Sequence, residues 1–298
     1  MNRQIPHSSA LRPRIATIGS ALWEKQTELS PAGAVLNSAL ALSRLGAQVA
    51  IRTNIGDDEI GRLTITMLSA AGINTEWVIS IPGATTTFSE LSTLTNSFSV
   101  PTQGVSLVRG DRIDIATLFA HDVVLLDIDE MPLLRFLVDL PAHTLPGTRL
   151  LGTLDHLATE LPEDAFELLM RHDVVVGTPE DYRSITKTTE LTDAIEKIQG
   201  RMRGSNLRAF VIAAAGNAPV TKTANETIQT SADLDSLPLD AFTGAIAFGM
   251  AARWDWSTAL TFATCVANLS DVALFGPARF PTFEETIDVM YRKNMEPR

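Results

Sequence analysis

Apolar and polar positions along this chain alternate between two periods. Arg14–Gly19 (RIATIG) is a short apolar run of the kind that forms a buried strand. Ala32–Ala47 then repeats apolar residues at helical spacing, with Gly46 as its stop. Gln48–Gly56 (QVAIRTNIG) is a second strand, and Asp58–Ile73 is an amphipathic helix that again ends at a glycine. The stretch Thr75–Val108 changes character. It is rich in Thr and Ser, poor in charge, and contains alternating segments such as Thr85–Leu94, which predicts short antiparallel strands in a small separate sheet.

The first rhythm then returns. Asp122–Asp129 (DVVLLDID), Thr148–Asp155 (TRLLGTLD), Asp173–Thr178 (DVVVGT) and Arg208–Gly216 (RAFVIAAAG) are short runs of Val, Ile and Leu with helical patterns between them. Strands apolar on both faces and separated by helices predict a parallel sheet covered on both sides. The end of the chain reads as three helices, over Asp240–Ala252, Ser257–Leu274 and Thr282–Asn294. The whole chain, 1–298, is expected to form one α/β domain with a small β lid from roughly 20–32 and 75–108. No repeat or low-complexity linker interrupts it.

Composition narrows the partners. A net charge of −11 argues against nucleic acid and against an anionic membrane surface. No apolar run reaches membrane-spanning length, and the first residues lack a signal-peptide core, so a cytoplasmic location is expected. Cys265 is the single cysteine. It excludes an internal disulfide and a cysteine-built zinc site, and its apolar neighbours predict a buried thiol. Asn225–Thr227 and Asn268–Ser270 match a glycosylation pattern and are read as chance.

In a parallel sheet, ligands bind beyond the carboxyl ends of the strands, where loops enter helix N-termini. Four such loops carry candidate chemistry. Glu24, after the first strand, is a carboxylate able to accept hydrogen bonds from a polyol, or else a solvated loop acid. Gly33 permits close backbone approach, and Asn37, one turn on, faces the same side with an amide that both donates and accepts. Asn54–Arg62 (NIGDDEIGR) reads as structural, with Asp57 or Asp58 as a helix cap. Asp240 stands where a new helix begins, at the end of the segment LDSLPLD. It is either an N-cap or a base placed beside the anion-attracting N–H groups of that helix.

Together these stretches resemble the PfkB family of carbohydrate kinases, also called ribokinase-like. The segment PAGAVLNSALALSRLGAQVAIRTNIGDDEIGR is similar to the family's first signature, LDAFTGAIAFGMA to its second, and FGPARFPTFEET to its common ending. The resemblance spans about Arg14 to Asn294. It implies a three-layer α/β/α sandwich with a mostly parallel central sheet, a β lid, and a homodimer formed through that lid. It also implies ATP-dependent phosphorylation of a sugar or nucleoside hydroxyl, with Mg²⁺ carried by the nucleotide and no metal ligand assigned to the protein. On this reading Asp240 is the catalytic base. Glu24, Gly33 and Asn37 bind substrate, with Glu24 one methylene longer than the family's usual Asp. Thr178, Asp181, Ala214, Gly216 and Asn268 meet the nucleotide.

The departures lie mostly on the nucleotide side. Leu237, Pro238 and Leu239 replace the family's Gly-Ala-Gly before the base, and Pro238 has no N–H to offer an anion. Thr178 and Asp181 stand for Asn-x-x-Glu, and Ala214 and Pro219 replace a Thr and a Gly around Gly216. Two readings follow: an active but divergent sugar kinase, or a kinase-fold protein that senses a ligand or regulates a partner without catalysis. The absence of G-x-G-x-x-G after the first strand excludes a dinucleotide oxidoreductase.

Overall fold

The computed structural model describes residues 12–25, 29–93, 96–102, 104, 105, 116, 120–127, 147–154, 163–235, 238–271, 274 and 276–292. In chain order the strands are β1 (Arg14–Ile18), β2 (Leu22–Lys25), β3 (Leu29–Ala32), β4 (Gln48–Gly56), β5 (Val78–Ile81), β6 (Thr87–Thr93), β7 (Asn96–Thr102) and β8 (Val123–Asp127). Then come β9 (Arg149–Thr153), β10 (Val174–Gly177), β11 (Ala209–Ile212), β12 (Val220–Thr223) and β13 (Thr227–Gln229). The helices are α1 (Ala34–Arg44), α2 (Glu59–Ala70), α3 (Ala165–Leu169), α4 (Pro179–Thr186), α5 (Leu191–Met202), α6 (Leu239–Ala251), α7 (Trp256–Leu269) and α8 (Phe283–Arg292), with a 3₁₀ turn at Gly276–Arg279.

Among the described residues, nine strands form one sheet in the order β13-β12-β11-β10-β9-β8-β1-β4-β5. It is parallel from β11 to β5, and only the β11-β12-β13 edge is antiparallel. Successive residues of each central strand enter different cores. Ile15, Val123 and Leu125 pack under α1, α6, α7 and α8, whereas Ala16, Val124 and Leu126 pack with residues of α3, α4 and α5. Period-two side-chain alternation with both faces covered is why these strands read as unbroken apolar runs.

A second sheet of four strands, β3-β2-β6-β7, contains the Thr-rich stretch from Thr87 to Thr102. Two features differ from the sequence expectation. β5 leaves the small sheet and extends the large one, pairing parallel to β4 from Thr53↔Val78 to Gly56↔Ile81. The β12–β13 hairpin, too short and polar to show periodicity, closes the opposite edge. Of the expected lid segments, 26–28, 94, 95, 103 and 106–108 lie outside the described residues.

Candidate active site

The site begins where α1 and α6 cross. α6 is apolar on nearly every side and buried from Leu239 to Met250, Asp240 included at 7% exposure. Gly244 makes the close crossing possible: a Cβ there would stand 3.2 Å from the Ser38 carbonyl oxygen of α1. At that crossing Ser38 Oγ donates a 2.8 Å hydrogen bond to the Asp240 carbonyl oxygen. The Asp240 carboxylate accepts from the Ala241 N–H at 2.7 Å through Oδ1. Its other oxygen, Oδ2, lies 3.9 Å from Nη1 of Arg279, at the end of the 3₁₀ turn. The acid is therefore an interior group at a helix N-terminus with a cation beside it.

Arg279 is itself largely buried, its side chain 19% exposed. It is held by its backbone, whose carbonyl accepts from the Asp271 N–H at 2.9 Å, and by the next residue, Phe280, which is buried. Two unit charges 3.9 Å apart attract by about 4 kcal/mol at an effective dielectric near 20, before the cost of removing both from water. The pair is too long for a hydrogen bond, and Arg279 Nε finds no acceptor among the described residues. A buried donor left unmet costs about 1–3 kcal/mol.

The other candidates distribute as follows. Gly33 is the N-cap of α1 with φ +78°, a left-handed conformation that suits glycine, and its Cα face is closed by Leu22. Asn37 is buried, donates its own N–H to the Gly33 carbonyl at 3.3 Å, and sets its side-chain amide against the Pro31 carbonyl at 3.4 Å. Glu24 lies in β2, between Ser30 of β3 and Phe88 of β6, so it belongs to the small sheet instead of a loop. Pro238 is the N-cap of α6, and Leu239 is the first helical residue, buried in the core instead of lining an open turn. Leu237 lies outside the described residues.

On the nucleotide side, Thr178 and Asp181 form a capping box on α4. The Asp181 carboxylate accepts from the Thr178 N–H and hydroxyl, both at 2.7 Å, and Thr178 Oγ1 accepts from the Asp181 N–H. Asn268 of α7 ties down the segment before α6, donating to the Asp233 carbonyl and accepting from the Asp235 N–H, each at 2.9 Å. Ala214 and Gly216 line a cavity of about 690 Å³ together with Pro179, Leu191, Ile195 and Lys222. Gly216 N–H donates to the Leu234 carbonyl at 2.7 Å, so the cavity wall adjoins that same segment. Only two residues separate Asp235 from Pro238, a reach of about 10 Å at most.

The NIGDDEIGR loop has the structural role expected of it. Asp58 caps α2 through the Gly61 N–H at 2.8 Å and binds Thr85 twice, through N–H at 2.9 Å and hydroxyl at 2.7 Å. Burial pushes this carboxyl upward in pKa, but the hydrogen bonds from Thr85 and Gly61 outweigh it and the net displacement is downward. Sequence reasoning passed over Ser38 and Arg279. Ser38 adjoins a chosen residue, and Arg279 sits inside FGPARFPTFEET; only the folding of distant segments onto α6 reveals either.

A family model described as pfkB family carbohydrate kinase matches residues 15–100, which hold β1, α1, β4 and α2. That stretch is similar to the family over residues 15–100. Similarity to solved structures extends over nearly the whole chain. The fructokinase of Xylella fastidiosa with bound ATP is 15% identical, with 95% of this chain and 100% of that one covered at a TM-score of 0.80. Arabidopsis thaliana ribokinase complexed with ribose and ATP is 17% identical, with 94% and 99% covered at 0.77. A PfkB family carbohydrate kinase of Listeria grayi is 18% identical, with 93% and 99% covered at 0.73. The fold is the ribokinase-like α/β fold. Among the described residues, no helix is long and apolar enough to cross a membrane.

Proposed function

We propose that this chain is an ATP-dependent kinase acting on a hydroxyl of a sugar or sugar-like substrate. The observation that carries the reading is Asp240: a carboxylate buried in the first turn of α6, braced by Ser38 and faced by Arg279. Pro238 holds the N-cap place without a side-chain acceptor, and Asp240 takes one first-turn N–H through Oδ1 while Oδ2 accepts no hydrogen bond among the described residues and faces Arg279. ATP with its Mg²⁺ supplies the phosphoryl group when bound. The cavity beside Ala214 and Gly216 fits a nucleoside, with Leu191, Ile195 and Ile212 as apolar walls and Asn217 and Gln229 as polar contacts. Among the described residues no three His, Cys, Asp or Glu side chains gather to hold an ion. The Mg²⁺ would enter with the nucleotide, held by its phosphate oxygens and by waters.

The residues then act as follows. Asn37 and Glu24 orient the acceptor, the amide able both to donate to and to accept from hydroxyls. Asp240 takes the proton of the attacking hydroxyl and remains in place because its backbone is held from α1. The free N–H groups of the first turn of α6 attract the negative charge that develops nearby. The test is phosphate transfer from ATP across a panel of sugars and nucleosides. Asp240→Asn should lower turnover by about 10²–10⁴-fold in a chain that still folds, and equal turnover would remove Asp240 from the chemistry.

One observation favours a second reading. Pro238 withholds an N–H from the anion site, and Leu239 is committed to the core. These suit a chain that binds ligand without transferring phosphate, as sensor or regulatory partner. Calorimetric titration with Mg-ATP separates the two, since micromolar affinity belongs to the kinase.

A further inference from the structure

We propose that Arg279 is an anion-binding residue of this site, receiving the terminal phosphoryl group of a polyphosphate and so replacing the backbone donor that Pro238 lacks. The inference deepens the kinase reading and rests on it for its site, but its test does not require catalysis. Three observations meet at one side chain. Arg279 approaches Asp240 to 3.9 Å without a hydrogen bond, so the carboxylate answers its charge only loosely. Its Nε has no acceptor among the described residues although the atom is buried. The donor missing from the helix N-terminus is missing beside it, at Pro238, two residues before Asp240.

A guanidinium carries five donors in a fixed fork that matches phosphate oxygens. With a loose ion pair and an idle Nε, this fork has capacity left for an incoming oxyanion. Its position suits that role, since a cation within 4 Å of the base lies beside the point where hydroxyl and phosphorus would join. Four of the neighbouring charges pair with one another, and Asp271, whose N–H donates to the Arg279 carbonyl, is the fifth. Arg279 also borders a surface cavity of about 370 Å³ lined by Arg44, Glu285, Asp288 and Arg292. There Arg44 pairs with Glu285 at 3.9 Å and Arg292 with Asp288 at 3.5 Å.

The experiment is calorimetric titration of the full chain with inorganic tripolyphosphate at fixed ionic strength. Arg279→Gln should weaken binding by about 10- to 100-fold, the loss of a charged hydrogen bond, and Arg279→Lys should fall between. Asp240→Asn should tighten binding, because it removes the carboxylate that competes for the guanidinium. A merely structural Arg279–Asp240 pair predicts that both variants bind equally or that both weaken together. Either result, or no binding by the unaltered chain, overturns the proposal. Failure of the kinase reading is a separate result: no phosphate transfer from ATP to any acceptor by the unaltered chain.

Discussion

His172 makes stability depend on pH in a window that can be worked out in advance. It follows α3 and precedes β10, is fully buried, and Nδ1 donates to the Leu168 carbonyl at 3.0 Å. Nε2 has no partner among the described residues, so a second proton would sit in an apolar interior. Burial dominates and lowers the pKa from 6.5 to about 4, against the opposing pull of the Leu168 and Leu169 carbonyls. Between those two values the unfolded chain binds a proton that the folded chain refuses. Stability is therefore complete above pH 6.5 and is lost as pH falls toward 4. A displacement of about 2.5 units is worth about 3 kcal/mol, of which about 2 kcal/mol is gone by pH 5. That is a large part of the roughly 5–15 kcal/mol that holds a domain together. Asp173, next in the chain, acts with opposite sign: burial raises its carboxyl above the ordinary value, so its contribution falls as pH rises. Comparison with His172→Asn cancels that effect, and the Asn amide can still donate to Leu168. Urea unfolding at pH 7.5, 6 and 5 should give a steep loss for the unaltered chain and a loss smaller by about 2 kcal/mol at pH 5 for the variant. Parallel curves for the two would refute the reasoning.

Asp58→Ala removes the α2 cap and both bonds to Thr85, and should cost about 2–3 kcal/mol in urea unfolding. Its lowered pKa adds that this support, present above pH 3.8, disappears as pH falls through the folded value. Pro238→Ala returns one N–H to the entrance of α6, and tripolyphosphate affinity should rise by about 10-fold or more in the same titration.

The fold was legible because the central strands are covered on both faces. Residues 123–126 and Val174–Gly177 are apolar throughout, and only a doubly covered strand needs that. β5 was not legible: its exposed, mixed residues obey no clear period, and pairing with β4 decides its sheet. Asp240 could be found because an acid before a long apolar helix is conspicuous. Glu24 falls inside the expected lid segment 20–32, but its strand was not legible, because four residues are too few for alternation to declare itself. Thr178 and Asp181 carry a second meaning the spacing also allowed, since a T-x-x-D pattern caps a helix as well as it meets a ligand. Ser38 and Arg279 join Asp240 only through tertiary contact, which no local window contains.

The hydrogen bond from Ser38 to Asp240 spans 202 positions of sequence. The segment that matches the family model, 15–100, therefore carries Ser38 but not Asp240. During synthesis on a ribosome, α1 emerges long before α6 exists to cover its apolar face. For most of translation the nascent chain exposes that surface, and a transcript cut short before Asp240 yields a polypeptide with a sticky, half-built core.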